Sequence, residues 1–334
     1  MKSAINRLSV LHAFQDLHVS SQIINTDIDG LLTGALLWEK YRLPIIGFYD
    51  TQHLWVAPDR LDQGRVPLES VLWVDVDMCW PGSKSLSQHI ICLDPSDSNS
   101  VIGFRSTTNP NLAAGITYVE YTPKYPFGTF QWLWWLLEIP PPAPDDHIRS
   151  GIVWMPDGGF ESAQGPWATN CREWATERLS QSPMSPLFEA NAVNLAPMYV
   201  GEAMAELIRL SGAREACWRN MQYLASRRTR NGFEILADPR DPASRNELNS
   251  ILSAIAQIFD WSPATIQDDW AMFAGTWSSK SPQHRTMARW TQAANNKEIV
   301  SCAFIDRRTF AFTRPRIKTT TRFLIDGEIG DILP

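Results

Sequence analysis

Two aspartates two positions apart, Asp27 and Asp29, lie in the stretch Asn25-Thr26-Asp27-Ile28-Asp29-Gly30-Leu31-Leu32-Thr33-Gly34. On an extended segment such a pair projects to one side, and its mutual repulsion calls for protons or a cation. A hard divalent ion, Mg2+ or Mn2+, is the economical partner for oxygen ligands. The pattern recurs along the chain. Val71-Leu72-Trp73-Val74 runs into Asp75 and Asp77, Ile90-Ile91-Cys92-Leu93 runs into Asp94 with His89 just ahead of it, and Ile152-Val153-Trp154 is followed by Asp157. If these apolar runs are strands of one sheet, four acidic ends converge on one edge, where open parallel sheets bind ligands. Each acid alone has a plainer reading, because Asp29 before Gly30 and Asp157 before Gly158 also suit helix caps and turns. The set favours a cation site.

The elements that would carry these residues follow from hydrophobic pattern. Residues 22–26 (QIINT), 44–48 (PIIGF), 71–76 (VLWVDV), 90–93 (IICL) and 152–154 (IVW) are β-rich and nearly continuous in apolarity, as strands buried on both faces should be. Helical spacing at 31–41 and at 127–138 separates some of them, and strand-helix-strand order implies a parallel sheet and an α/β class. The proline cluster at 139–146 (IPPPAPDD) can be neither helix nor central strand. Beyond Gly159 the patterns at 201–210, 215–225, 247–259 and 264–273 read as helices. Residues 300–305 and 309–313 read as a hairpin turning at Asp306, Arg307 and Arg308, with 322–325 as a third strand. The expected organisation is an α/β domain over residues 1–160 and a helical region ending in a small β-sheet over 161–334.

Length and composition bound the remaining classes. The 334 residues suit about two domains. Hydrophobic residues at 44% and charged residues at 20% are globular proportions, which excludes a disordered tail. The longest apolar stretch, 127–139, is broken by Gln131 and stops at Glu138, short of the roughly 20 residues a spanning helix needs. With no continuous apolar leader in the first residues, the expectation is a cytoplasmic protein without a membrane segment. Five cysteines at irregular spacing form neither a metal knuckle nor a disulfide framework and read as reduced core thiols. The net charge of −6 falls entirely in residues 1–150, so a uniformly cationic nucleic-acid coat is excluded. A local basic stretch survives that exclusion. Arg308, Arg314, Arg316 and Lys318 are interleaved with Phe310 and Phe312, a composition that suits single-stranded nucleic acid. Period-two alternation would instead bury both rings and leave the cations as a solvated face.

The same residues carry a family resemblance. NTDIDGLLTGALL resembles the first motif of the DHH phosphoesterase superfamily, whose RecJ-like members are nucleases, and Val74-Asp75-Val76-Asp77 resembles the second. Asn109-Pro110-Asn111-Leu112, then Lys124-Tyr125-Pro126-Phe127-Gly128-Thr129 and an apolar helix, are similar to the segment that follows in RecJ-like members, and Trp154 to Gly159 stands where a fourth motif would supply Asp157. The resemblance covers about the first 160 residues and implies a DHH-type domain joined to a divergent α+β region. It further implies a metal-dependent phosphoesterase or nuclease. Asp27, Asp29, Asp75 and Asp157, with Asn25, Asp77 and Asp94 as further donors, would hold Mn2+ or Mg2+. The ion would activate water against a nucleic acid or nucleotide, and His89 would act as ligand or general acid. Two departures stand out. Asn25 occupies the first motif's histidine position, and no Asp-His-His occurs; its counterpart is either Ser87-Gln88-His89 or Asp94-Pro95-Ser96. These departures imply an alternative, a catalytically degenerate protein serving as a nucleic-acid-binding or scaffold subunit of a complex.

Overall fold

The computed structural model describes residues 4–93, 100–179, 185–188, 190–212, 238–280, 290–306, 308–315 and 327–333. The chain groups into two compact units, each assembled from separated segments: a helical unit of Met1–Gln15, Asp27–Arg42 and Tyr125–Ile266, and a sheet unit of Asp16–Thr26, Leu43–Lys124 and Gln267–Pro334. This grouping differs from a division near residue 160. Late strands complete the sheet begun by the first strand, and the Ile28–Tyr41 helix joins the later helices.

Among the described residues, the main sheet of the sheet unit has eight strands: β1 (Ser21–Asn25), β2 (Ile45–Tyr49), β3 (His53–Val56), β4 (Val71–Val74), β5 (Lys84–Leu86), β6 (Thr107–Thr108), β7 (Ala271–Ala274) and β11 (Gly327–Glu328). Their spatial order is β11-β7-β3-β2-β1-β4-β5-β6. The block β2-β1-β4-β5-β6 is parallel, whereas β3 pairs antiparallel with both β2 and β7. Strands β1, β2 and β4 are buried along their whole length, as expected of strands covered on both faces. The expected α/β class with a mostly parallel sheet holds at that level. A second sheet of β8 (Thr276–Lys280), β9 (Ser301–Asp306) and β10 (Thr309–Arg314) has the order β8-β10-β9, and β9 with β10 form the expected hairpin. Phe310 and Phe312 are buried.

Three expected elements are corrected. Ile152–Trp154 is no strand but the end of the His147–Trp154 helix, which Asp146 caps by accepting from the Arg149 amide at 2.9 Å. A three-residue β-rich run cannot resist a capped helix whose buried face packs within a helical unit. Residues 90–93 make only an isolated bridge, Ile90 to Phe304, and the strand beside β4 is the more polar β5 instead. Residues 264–273 are not helical, because their last positions are drawn into β7 to pair with β3. The candidate strand at 322–325 and the candidate helix at 215–225 lie outside the described residues.

The helical unit packs the Ile28–Tyr41, Thr129–Leu136, His147–Trp154, Ala190–Ser211 and Pro242–Phe259 helices, with Trp132, Trp134, Trp135 and Trp154 in its core. Among the described residues no helix is long and apolar enough to cross a membrane.

Candidate functional site

In the sheet unit, β1 has β2 on one side and β4 on the other, so the strand order reverses between β1 and β4. Ligands of open α/β sheets bind outside the carboxyl ends of strands at such a switch point. Asn25 ends β1 and Asp75 follows β4 directly; both are buried. The Asn25 side-chain oxygen accepts from the Thr26 amide at 2.7 Å, which fixes the orientation of the amide group, and its Nδ2 donates to Asp75 Oδ2 at 2.9 Å. Asp75 holds a left-handed backbone (φ 57°), a conformation aspartate tolerates better than most side chains.

Beside this pair lies a second polar group of the same unit. Asp77 is buried, accepts from the Ser87 hydroxyl through Oδ1, and has Oδ2 2.9 Å from His89 Nδ1. That contact orients the imidazole ring. The Asn109-Pro110-Asn111 segment clamps the chain that carries them. Asn109 donates to Ser87 Oγ at 3.0 Å and to the His89 carbonyl at 2.8 Å, and Asn111 donates to the Gln88 carbonyl at 2.7 Å. Ser87-Gln88-His89 is thus the segment set against Asp77, and Asp94 lies outside the described residues.

One pair escaped the sequence reading. Asp50, directly after β2, accepts from the Gln52 and His53 amides through Oδ1, and its Oδ2 lies 2.9 Å from His53 Nδ1. The signal was present, since Ile45-Ile46-Gly47-Phe48-Tyr49-Asp50 is another apolar run ending in an acid.

Asp27, Asp29 and Asp157 belong to the helical unit. Asp27 caps the Ile28–Tyr41 helix by accepting from the Gly30 amide at 2.8 Å. Asp29 is almost wholly buried and accepts from the Thr129 amide at 2.6 Å and the Phe130 amide at 2.8 Å. It thereby serves the amino terminus of the Thr129–Leu136 helix, where a carboxylate is favoured. Gly128 makes room for it, because a Cβ there would stand 2.6 Å from Asp29 Oδ2. Asp157 is exposed, in a turn with φ 51° rather than at a strand end.

Burial holds the Asp29 carboxyl well above its ordinary range; the negative charges of Asp157 and then Asp27 add to this, and the two helix amides oppose it. The folded chain therefore binds this proton more tightly than the unfolded chain. The stability so contributed is fully present below the ordinary aspartate pKa, about 4, and is lost as pH rises through the raised folded value. Thermal unfolding followed across that window should show the midpoint falling with pH in the native protein and a flatter profile in Asp29→Asn. Equal slopes would contradict this electrostatic account.

The chain matches no family model, no curated protein and no solved structure. Among the described residues, no three His, Cys, Asp or Glu side chains are arranged to hold a metal ion. The polar atoms expected to ligate one are engaged by the fold's own N–H and O–H groups: Asp75 by Asn25, Asp77 by Ser87 and His89, Asp27 and Asp29 by helix amides. Of the basic candidates, Arg308 and Arg314 are exposed, and the Arg314 guanidinium lies 5.4 Å from the Phe312 ring centre. Arg316 and Lys318 lie outside the described residues.

Proposed function

We propose that this chain is a DHH-type protein whose former hydrolytic positions now serve the fold, and that it works as a binding or scaffold subunit for nucleic acid or within a complex. The observation that carries this reading is the Asn25–Asp75 hydrogen bond at the switch point. Where the resemblance calls for a histidine and an aspartate sharing a cation, an amide proton meets the carboxylate oxygen. A neutral donor in that position satisfies the buried acid without an ion and supplies no Lewis acid to a phosphate. One observation favours the hydrolytic reading: the negative potential of Asp157 and Asp27 around Asp29 is one that a cation would also relieve.

Calorimetric titration of the full chain with Mn2+ separates the two. The expected result is no micromolar uptake and no cleavage of single-stranded DNA, RNA oligonucleotides or nucleotides with Mn2+ or Mg2+. Binding of a single-stranded oligonucleotide, read by fluorescence anisotropy, is expected to survive EDTA and Asp27→Ala. Micromolar Mn2+ binding lost in Asp27→Ala, together with cleavage lost in Asp75→Asn, would establish the phosphoesterase instead.

A further inference from the structure

Within the sheet unit, the segment after β4 runs antiparallel to the start of β9. Met78 bridges Ser301, the Cys79 amide donates to the Val300 carbonyl at 2.8 Å, and the Cys302 amide donates to the Asp77 carbonyl at 3.1 Å. Side chains alternate along extended backbone, so the residues flanking the bridge, Cys79 and Cys302 among them, share one side. Their Sγ atoms are 3.5 Å apart although the residues are 223 positions apart in sequence. Both thiols are free and buried. Gly103 fits so closely over the Cys79 backbone that a Cβ there would stand 2.4 Å from the Cys79 carbonyl carbon. The two sulfurs would have to approach by about 1.5 Å to reach the S–S bond length of about 2.05 Å.

We propose that Cys79 and Cys302 are a redox modification site, closing to a reversible disulfide when the protein meets a two-electron oxidant of the peroxide class. One thiolate attacks the peroxide and becomes a sulfenic acid, with hydroxide leaving. The second sulfur displaces the sulfenic oxygen as water, so two thiols and one peroxide give one disulfide and two waters. Burial and the neighbouring Cys79 sulfur push the Cys302 thiol well above its usual range, so little thiolate is present and closure is slow. The bridge fastens β9 to the segment that follows Asp75 and Asp77, and makes that polar strand end dependent on oxidation state.

The test uses the full chain with Cys217→Ser, which removes the one cysteine outside the described residues. After exposure to millimolar hydrogen peroxide and alkylation, non-reducing peptide mass spectrometry should find a peptide pair joined through Cys79 and Cys302. The free-thiol titre should fall by two groups per chain, and dithiothreitol should restore it. Because the closed loop is long, the oxidised protein should melt about 5 °C higher than the reduced. Cys302→Ser should abolish both changes. If that variant does not fold, the comparison of oxidised with reduced parent protein still decides. Both cysteines recovered unlinked after oxidation, or a bridge to Cys92 or Cys171 in place of this one, would overturn the proposal.

Discussion

Asp29→Ala is expected to destabilise the protein by about 2 to 4 kcal/mol, most at acid pH. The Thr129–Leu136 helix begins at Gly128, which has no side chain with which to cap. Its first amides are instead met by Gln131 Oε1, 2.8 Å from the Gly128 amide, and by both oxygens of Asp29, a hundred positions away in sequence. Alanine would strand the Thr129 and Phe130 amides in the interior, at about 1 to 3 kcal/mol each. Relief of a buried carboxylate beside Asp157 and Asp27 offsets part of that loss at neutral pH, where the acid sits least comfortably. Asp29→Asn keeps one acceptor and should lose roughly half as much. Urea denaturation followed by tryptophan fluorescence measures both. A loss below about 0.5 kcal/mol for alanine would mean that the helix terminus finds other acceptors.

Gly151→Ala is expected to cost about 3 kcal/mol or more, an unusually large effect for a single added methyl. The new Cβ would stand 2.1 Å from the Tyr199 carbonyl oxygen, 2.5 Å from its carbon and 2.7 Å from the Ala203 Cβ. The first two are backbone atoms of the Ala190–Ser211 helix and cannot swing aside, so the His147–Trp154 helix must move away and open the core. Gly201 lies on the same long helix with nothing within 4 Å of its added Cβ. Gly201→Ala should therefore stabilise by about 0.5 to 1 kcal/mol, through helix propensity alone. Chemical denaturation of the pair gives opposite signs if helix proximity is the cause; a mild loss at both positions would exclude it.

Much of the fold was legible because the determining signals are local. β2 and β4 are rich in Ile, Val, Phe, Leu and Trp and read as buried strands, and β1 carries Ile23 and Ile24 at its centre. The hairpin of β9 and β10 was readable for the same reason. Ile152–Trp154 was misread because three residues contain less than one helical turn of pattern, and the cap at Asp146 outweighed their β preference. Residues 264–273 were misread because their strand depends on β3, a partner more than two hundred positions earlier. The grouping of the Ile28–Tyr41 helix with helices beyond residue 125 has no sequence signal either, since burial of its apolar face does not name the partner.

The amino-acid sequence by itself determined which side chains could do chemistry: the acids at the ends of β1 and β4, the imidazole of His89 and the asparagine at 25. It also determined that they would lie at or near the carboxyl ends of strands, because period and apolarity act over a few neighbouring residues. Which atom each of them meets was decided only by tertiary structure. Asp29 with the Thr129 amide, Asn25 with Asp75, and Cys79 with Cys302 are separated by 100, 50 and 223 positions. A hydrogen bond or a sulfur contact depends on tenths of an ångström between such distant segments, and only the packed chain sets distances on that scale.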